Sequence, residues 1–241
     1  VGNNDGGWHA VRVGTNAYLQ PYRLYGALPN RLDVQPISAL ETTTDGQTVP
    51  TGTTLDLSSV PGFASVPLNY PDGLGTNSTH TKLFAHRVNA TTIYDVDPAT
   101  GTATAAIVGA PLATCNTGQF IFDEETKLLF SAEYNRGVAA YTCTGDAYPY
   151  TCSKYDLLVD TVIADGSVGI DIQHHHLLIS SMGTRKIYAS NTIAASIPAS
   201  DFYTIATMPT GVVYACSLFT TDTHVYCGGY SPTFGVFSIA W

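Results

Sequence analysis

The sequence predicts an all-β chain built as a closed wheel of repeated four-stranded units. Three observations predict it: a composition suited to strands and turns, one apolar motif that recurs five times, and chain ends that complement each other. The chain has 241 residues, which is enough to bury a sizeable core in one domain. Threonine, glycine and tyrosine are abundant, while lysine occurs at only four positions. Threonine and tyrosine suit strands and glycine suits turns, whereas a helical protein would carry more Ala, Leu, Glu and Lys.

The repeat is anchored on Leu128–Ala140, "LLFSAEYNRGVAA". Leu24 to Arg31, "LYGALPNR", aligns without a gap on Leu129 to Arg136, "LFSAEYNR". Leu83-Phe84-Ala85-His86, Leu178-Ile179-Ser180-Ser181 and Val225-Tyr226-Cys227-Gly228 fit the same frame. The anchors fall at 24, 83, 129, 178 and 225, and the one long interval, 59 residues, accommodates an insertion around "TTTDGQTVPTGTT". A period near this length with strand composition is that of a propeller blade of four strands.

Each copy reads in that way. The third has "GQFIFD" as strand A, "KLLFSAE" as B, "GVAAYTC" as C and "YDLLVDTVI" as D. The fourth has "VGIDI", "HLLISSM", "KIYAS" and "FYTIATM" in the same order. The fifth has strands A to C and then reaches Trp241, while "WHAVRV" (8–13) precedes "GTNAYL" as a D strand precedes an A strand. The expectation is a single-domain five-bladed β-propeller over residues 1–241, its ring closed by the N-terminal strand completing the last blade. Closure of that kind removes exposed strand edges.

"LLFSAEYNRGVAAY" and "LLISSMGTRKIYAS" resemble the blade motif of NHL and YVTN-type propeller repeats, in which an apolar strand and small residues lead to Asn-Arg and a second apolar strand. The resemblance implies a propeller used mostly for binding, with some metal-dependent hydrolases and lyases built on similar wheels. No catalytic residue carries over, because no catalytic motif of those enzymes matches here position by position.

Charge and cysteines bound the setting. Ten basic residues stand against 19 acidic ones, a net charge of −9, which argues against nucleic acid and anionic membrane surfaces as partners. No apolar run approaches the ~18 residues of a membrane-spanning helix. The chain opens on Val1, so the expectation is a leader removed or a chain cut from something longer. Cys143 and Cys152 are symmetric about Ala147-Tyr148, and Cys216 and Cys227 about Thr221-Asp222. Two antiparallel hairpins turning there would set each pair directly opposite, within disulfide reach. Two disulfides imply an oxidising, extracellular or cell-surface location. Cys115 is left over. Asn77-Ser-Thr and Asn89-Ala-Thr are glycosylation acceptors, expected at turn tips on opposite faces of the wheel.

In a four-stranded blade the B–C and D–A loops emerge on one face, and the A–B and C–D hairpins on the other. Arg31, Arg136 and Arg185 share a repeat position on the B–C face, with Asn30 and Asn135 one residue before it and Arg87 close by. Guanidinium forks there suit carboxylate, phosphate or sugar hydroxyls; the competing reading is that each Arg ties its blade to the next. His174-His175-His176 falls on an A–B hairpin, where successive side chains diverge, and reads as a solvated turn rather than a metal site. Asp72 and Asp165, with Asn16 and Asn116, belong to D–A loops; they read as loop caps, with Ca²⁺ ligation the alternative.

The functional expectation is a secreted or cell-surface glycosylated binding or assembly module without catalysis and without a cofactor, its partner a protein or glycan at the B–C face. Two alternatives stand beside it. One is a structural subunit of an extracellular filament or coat, for which Cys115 and an uncharged Thr/Tyr surface would suit repeated contacts. The other is a metal-dependent hydrolase or lactonase with an ion in the central channel.

Overall fold

The computed structural model describes residues 6–22, 31–42, 52–61, 73–87, 90–110, 117–133, 137–157, 167–181, 183–208, 214–230 and 235–240. The described strands fall into five successive antiparallel groups. The first comprises β1 (Gly6–Val13), β2 (Asn16–Tyr22), β3 (Arg31–Pro36) and β4 (Thr53–Asp56), with the short helix α1 (Ile37–Thr42) between the last two. The second comprises β5 (Gly73–Asn77), β6 (Leu83–His86), β7 (Thr92–Val96) and β8 (Ala103–Val108). The third comprises β9 (Thr117–Asp123), β10 (Leu128–Glu133), β11 (Gly137–Thr144) and β12 (Tyr150–Leu157). The fourth comprises β13 (Ser167–Gln173), β14 (His176–Ser181), β15 (Lys186–Ser190) and β16 (Phe202–Thr207). The fifth has β17 (Tyr214–Thr220), β18 (His224–Tyr230) and β19 (Gly235–Ala240).

Alternation along the inner strands explains how the groups pack. Neighbouring strand residues point to opposite faces, so each inner strand serves two junctions. Phe120 and Phe122 join Phe84, Ile93 and Ile107 of the second group, while Ile121 between them joins Ile170, Leu177 and Ile179 of the fourth. Val11 packs with Leu74 and Leu83 of the second group, and its neighbour Ala10 with Phe219 and Tyr226 of the fifth. Leu178 and Ile187 meet Leu218 and Val225 across the remaining junction. The apolar clusters therefore follow one another in a circle, and the arrangement is all-β and propeller-like. Burial fades outward. Every residue of β5 is buried, whereas β16 is half-buried to exposed throughout, which is where Thr and Tyr are tolerated.

The inner strands meet along the axis. Gln119 on β9 fills that space. Its Nε2 donates to Ala10 O (2.8 Å) and Leu218 O (2.5 Å), and its Oε1 accepts from Leu218 N (2.9 Å) and Ile170 N (3.2 Å). One carboxamide thus ties the third group to the first, fourth and fifth. Close approach depends on a missing side chain as well: a Cβ at Gly169 would sit 2.5 Å from Ser180 Oγ and 2.8 Å from Leu218 N.

Several expectations are corrected. The segment "WHAVRV" does not complete the last group. It lies in β1, which pairs with β2 from Val13↔Asn16 around a two-residue turn, with Gly14 at φ +58° and its N–H bonded to His80 O (2.7 Å). The N-terminal frame is displaced by one strand: β1 is the inner strand, β2 takes the place assigned to Leu24–Arg31, and residues 23–30 lie outside the described residues. Asn16 consequently sits at the first inner hairpin and not on a D–A loop. The fifth group has three strands among the described residues, and closure comes from β1 packing against β17 and β18. The second and third groups are not separate sheets. Parallel pairs β5–β9 and β8–β12 join them into one closed eight-stranded sheet.

The cysteine register also differs in part. Cys143 faces Cys152 across β11–β12, their Cα atoms 4.0 Å apart, and the two are disulfide-bonded. Cys227 is buried opposite Leu218, not Cys216. A register shift between Ala215 and Ser217 absorbs Cys216, and the same bulge recurs on β1, β13 and the β9–β10 ladder. A one-residue slip moves every later side chain to the other face, which is why the symmetry of 216 and 227 does not bring the two opposite each other. The side chain of Cys216 and all of Cys115 lie outside the described residues.

Replacing Gln119 by Leu keeps the volume and leaves backbone groups on three strands without their partner. The expected loss is roughly 3–5 kcal/mol of unfolding free energy, read as a lowered urea midpoint; an unchanged midpoint would show that the axis does not rely on this side chain.

Candidate functional site

The inner strands end at the A–B hairpins, and those ends surround a cavity of about 620 Å³. Every group contributes to it: Arg12 from β1, Ser78 to His80 from the β5–β6 turn, Asp123 from β9, Gln173 from β13, and Asp222 from the turn after β17.

Its floor is one hydrogen-bonded network. His80 and Asp171, 5% and 1% exposed, meet at 2.8 Å between Nε2 and Oδ1. A carboxylate can only accept, so Asp171 fixes the tautomer with the proton on Nε2. Asp171 Oδ1 also takes the Ile172 N–H (2.9 Å), and its Oδ2 takes the Thr220 hydroxyl (2.8 Å). That hydroxyl lies 3.2 Å from Gln173 Oε1, and Gln173 Nε2 donates to Asp222 Oδ1 (3.1 Å). Arg12 enters from β1, its Nη1 donating to Thr220 O (3.0 Å) and its Nε to Gly14 O (3.1 Å). On the opposite wall Asp123 accepts from Ser78 Oγ (2.7 Å) and Thr126 Oγ1 (2.5 Å). Glu124 accepts from Tyr148 OH and from Asn77 Nδ2. Burial, followed by Glu124, pushes the Tyr148 phenol well above its ordinary range, so it stays a donor.

The histidine run is the hairpin between β13 and β14, Gln173↔His176, with His174 and His175 both at positive φ (49° and 62°) and exposed. Two positive-φ residues make the tight turn whose twist suits a hairpin. Both rings line the cavity mouth, and no group of three His, Cys, Asp or Glu among the described residues is placed to hold a metal.

Asn77 is not a surface acceptor. It is 1% exposed. Its Nδ2 donates to Thr79 Oγ1 (2.8 Å), Thr81 Oγ1 (2.9 Å) and Glu124 Oε2, while its Oδ1 accepts from the N–H groups of Thr81 and Lys82. The sequon is an Asx-type turn whose amide is fully employed. Asn89 lies outside the described residues.

Of the predicted B–C face, Arg31, Arg87 and Arg185 lie within the described residues. Arg31 is exposed, its Nε 3.8 Å from Asp33 on its own strand. Arg185 sits in a turn and donates from Nη2 to Met208 O (3.3 Å), tying two strands of its own group. Arg87 is half-buried, its carbonyl accepting from Ala90 N (3.0 Å). Asn30, Asn135, Arg136, Asp72, Asp165 and Asn116 lie outside the described residues.

Away from the cavity, two buried histidines lack full partners among the described residues. Both ring nitrogens of His9 are unpaired, and His86 donates from Nε2 to Ala90 O (2.9 Å) while its Nδ1 is unpaired. Burial lowers each to a pKa of about 4.

The sequence matches no protein-family model and no curated protein. Similar solved structures do exist. Glutaminyl cyclase of Myxococcus xanthus superposes with a TM-score of 0.55 at 7% identity, covering 99% of this chain and 92% of that one. A chain of the nidogen/laminin complex gives 0.52 at 10% identity, covering 96% and 74%. An auxiliary nutrient binding protein of Bacteroides ovatus gives 0.55 at 9% identity, covering 100% and 60%. At such identities the likeness is one of fold: propeller-like architecture over essentially the whole chain.

Two predictions follow from these side chains. Below pH 6.5 an unfolded histidine gains a proton that folded His9 and His86 refuse until about pH 4. Their contribution to stability is therefore full above pH 6.5 and is lost as pH falls through that window, by about 1.4 kcal/mol per pH unit for each. Urea midpoints between pH 7 and pH 4.5 should fall, and His86→Phe should reduce the slope by one proton; an unchanged slope would contradict a neutral buried His86. Expressed in a glycosylating host, Asn77 should carry no glycan by peptide mass spectrometry, and Asn77→Ala should cost roughly 2–3 kcal/mol.

Proposed function

We propose that the chain is a five-bladed β-propeller domain spanning residues 1–241, and that it acts as a secreted or cell-surface binding module without catalytic chemistry. The observation that carries this reading is the cavity at the A–B end of the axis, to which all five groups contribute polar side chains. Its volume lies in the range of small-molecule sites. Its walls are fixed by hydrogen bonds before any ligand arrives, the preorganisation that binding rewards. The Cys143–Cys152 disulfide supports an oxidising compartment. Among the proteins of similar fold, one is a nutrient binding protein and another is a chain of a nidogen/laminin complex; binding by this chain is proposed by analogy with those. In this reading Asn89 is the remaining glycosylation acceptor. The arginines of the B–C face are read as structural rather than as the ligand site: Arg185 braces its own blade through Met208 O, and Arg31 lies beside Asp33 of its own strand.

Thr79 is exposed at the cavity mouth. Thr79→Trp should place an indole across the opening; it removes one acceptor of Asn77 Nδ2, which keeps Thr81 Oγ1 and Glu124 Oε2. Ligand-observed NMR against a library of small polar sugars, amino acids and carboxylates should give binders whose affinity drops about tenfold or more in the variant. Binders untouched by Thr79→Trp would move the site elsewhere.

A further inference from the structure

The cavity carries charge that the protein itself leaves uncommitted, and of both signs. Arg12 uses Nε and Nη1 on backbone carbonyls, which lock the guanidinium in place. Among the described residues no carboxylate lies within ion-pair distance of it, although the chain has 19 acidic residues and only 10 basic ones. A guanidinium has five N–H donors in a planar fork, so the remaining ones can take a carboxylate. The acidic groups divide into two sets. Asp123, Glu124 and Asp171 are occupied by the hydroxyl, amide and imidazole donors described above. Among the described residues Asp222 accepts from Gln173 alone, and Glu125 has only His175 at 3.9 Å.

We infer that the ligand is a small zwitterion of the α-amino-acid class, its carboxylate held by Arg12 and its ammonium by Asp222 and Glu125. A simple anion would satisfy Arg12 but face two carboxylates, and a simple cation would satisfy the carboxylates but face Arg12; only a ligand of both signs gains from each wall. A neutral sugar can hydrogen-bond to these groups but brings no opposite charge to any of them. The inference rests on reading the cavity as the binding site.

The test uses the full chain and isothermal titration with each of the twenty L-amino acids, with glucose and N-acetylglucosamine as neutral probes. The amino acid that binds best is then compared with its methyl ester, which lacks the carboxylate, and its N-acetyl derivative, which lacks the ammonium. Each derivative should bind about tenfold or more weakly than the zwitterion. Asp222→Asn should weaken the zwitterion and the ester while leaving the N-acetyl derivative within about twofold; Arg12→Gln should do the reverse. Arg12 also ties β1 to Thr220 O, so if Arg12→Gln does not fold, Asp222→Asn, on an exposed turn, decides alone. Equal binding of the three forms, or no binding of any amino acid, overturns the inference. If a sugar binds and Thr79→Trp blocks it while no amino acid does, the ligand class falls and the cavity stands as the site. If Thr79→Trp affects none of these probes, both fall.

Discussion

A single carboxamide at the axis holds the architecture to its dimensions. Strands that converge on an axis cannot all hydrogen-bond to one another, and the backbone groups facing inward would be stranded away from water. Gln119 answers four of them at once, on β1, β13 and β17. Its own group is bound to the second by a parallel ladder from Leu74↔Gln119 to Asn77↔Phe122. The inner strands are thereby held at one spacing, and the ends of those strands are brought within reach of a shared network. The cavity exists because the axis below it is filled.

The contrast among buried histidines follows from the same geometry. His80 reaches a carboxylate from another group because the hairpin ends converge, and Asp171 is itself braced by a backbone N–H and a hydroxyl. His9 and His86 are buried without a carboxylate partner among the described residues, His86 edge-on to Phe120, and burial lowers the pKa of each. Three imidazoles in one small fold are treated in two ways, according to whether burial comes with a partner.

How much of this was legible in the sequence depends on whether the signal was local. The repeating pairs of apolar strands were legible, because Leu129-Phe130 and Leu178-Ile179 each announce a strand packed on both faces. The disulfide at Cys143 and Cys152 was legible because its hairpin is short. The N-terminal frame was misread because "LYGALPNR" imitates the motif, while the true signal, Gly14 in a two-residue turn, is a single residue. Bulges carry no side-chain signature, so the displacement of Cys216 was invisible. Asn77 reads identically as a sequon and as a turn, and only its five hydrogen bonds separate the two. The candidate site was missed because Arg12, His80, Asp171, Thr220 and Asp222 come from distant segments. The nearest thing to a signal is positional: the inner strands of four groups end on a polar residue, Asn77, Asp123, Gln173 and Thr220.

The junctions between groups are not alike. The second and third groups are stitched by backbone ladders at both their inner and outer strands, β5–β9 and β8–β12. Where β1 meets β17 no strand pairing joins the described residues; that junction rests on Arg12, Gln119, the packing of Ala10, Ala17, Leu19 and Ile37 on Phe219 and Tyr226, and the bond from Tyr226 OH to Glu41 Oε1. The junctions of β1 with β5, β9 with β13 and β13 with β17 likewise have no strand pairing among the described residues, so the laddered seam between the second and third groups is the exception. Arg12 on β1 and Asp222 after β17 flank one of these unladdered junctions, so a ligand bridging the two would add the cross-tie that no strand pairing supplies there.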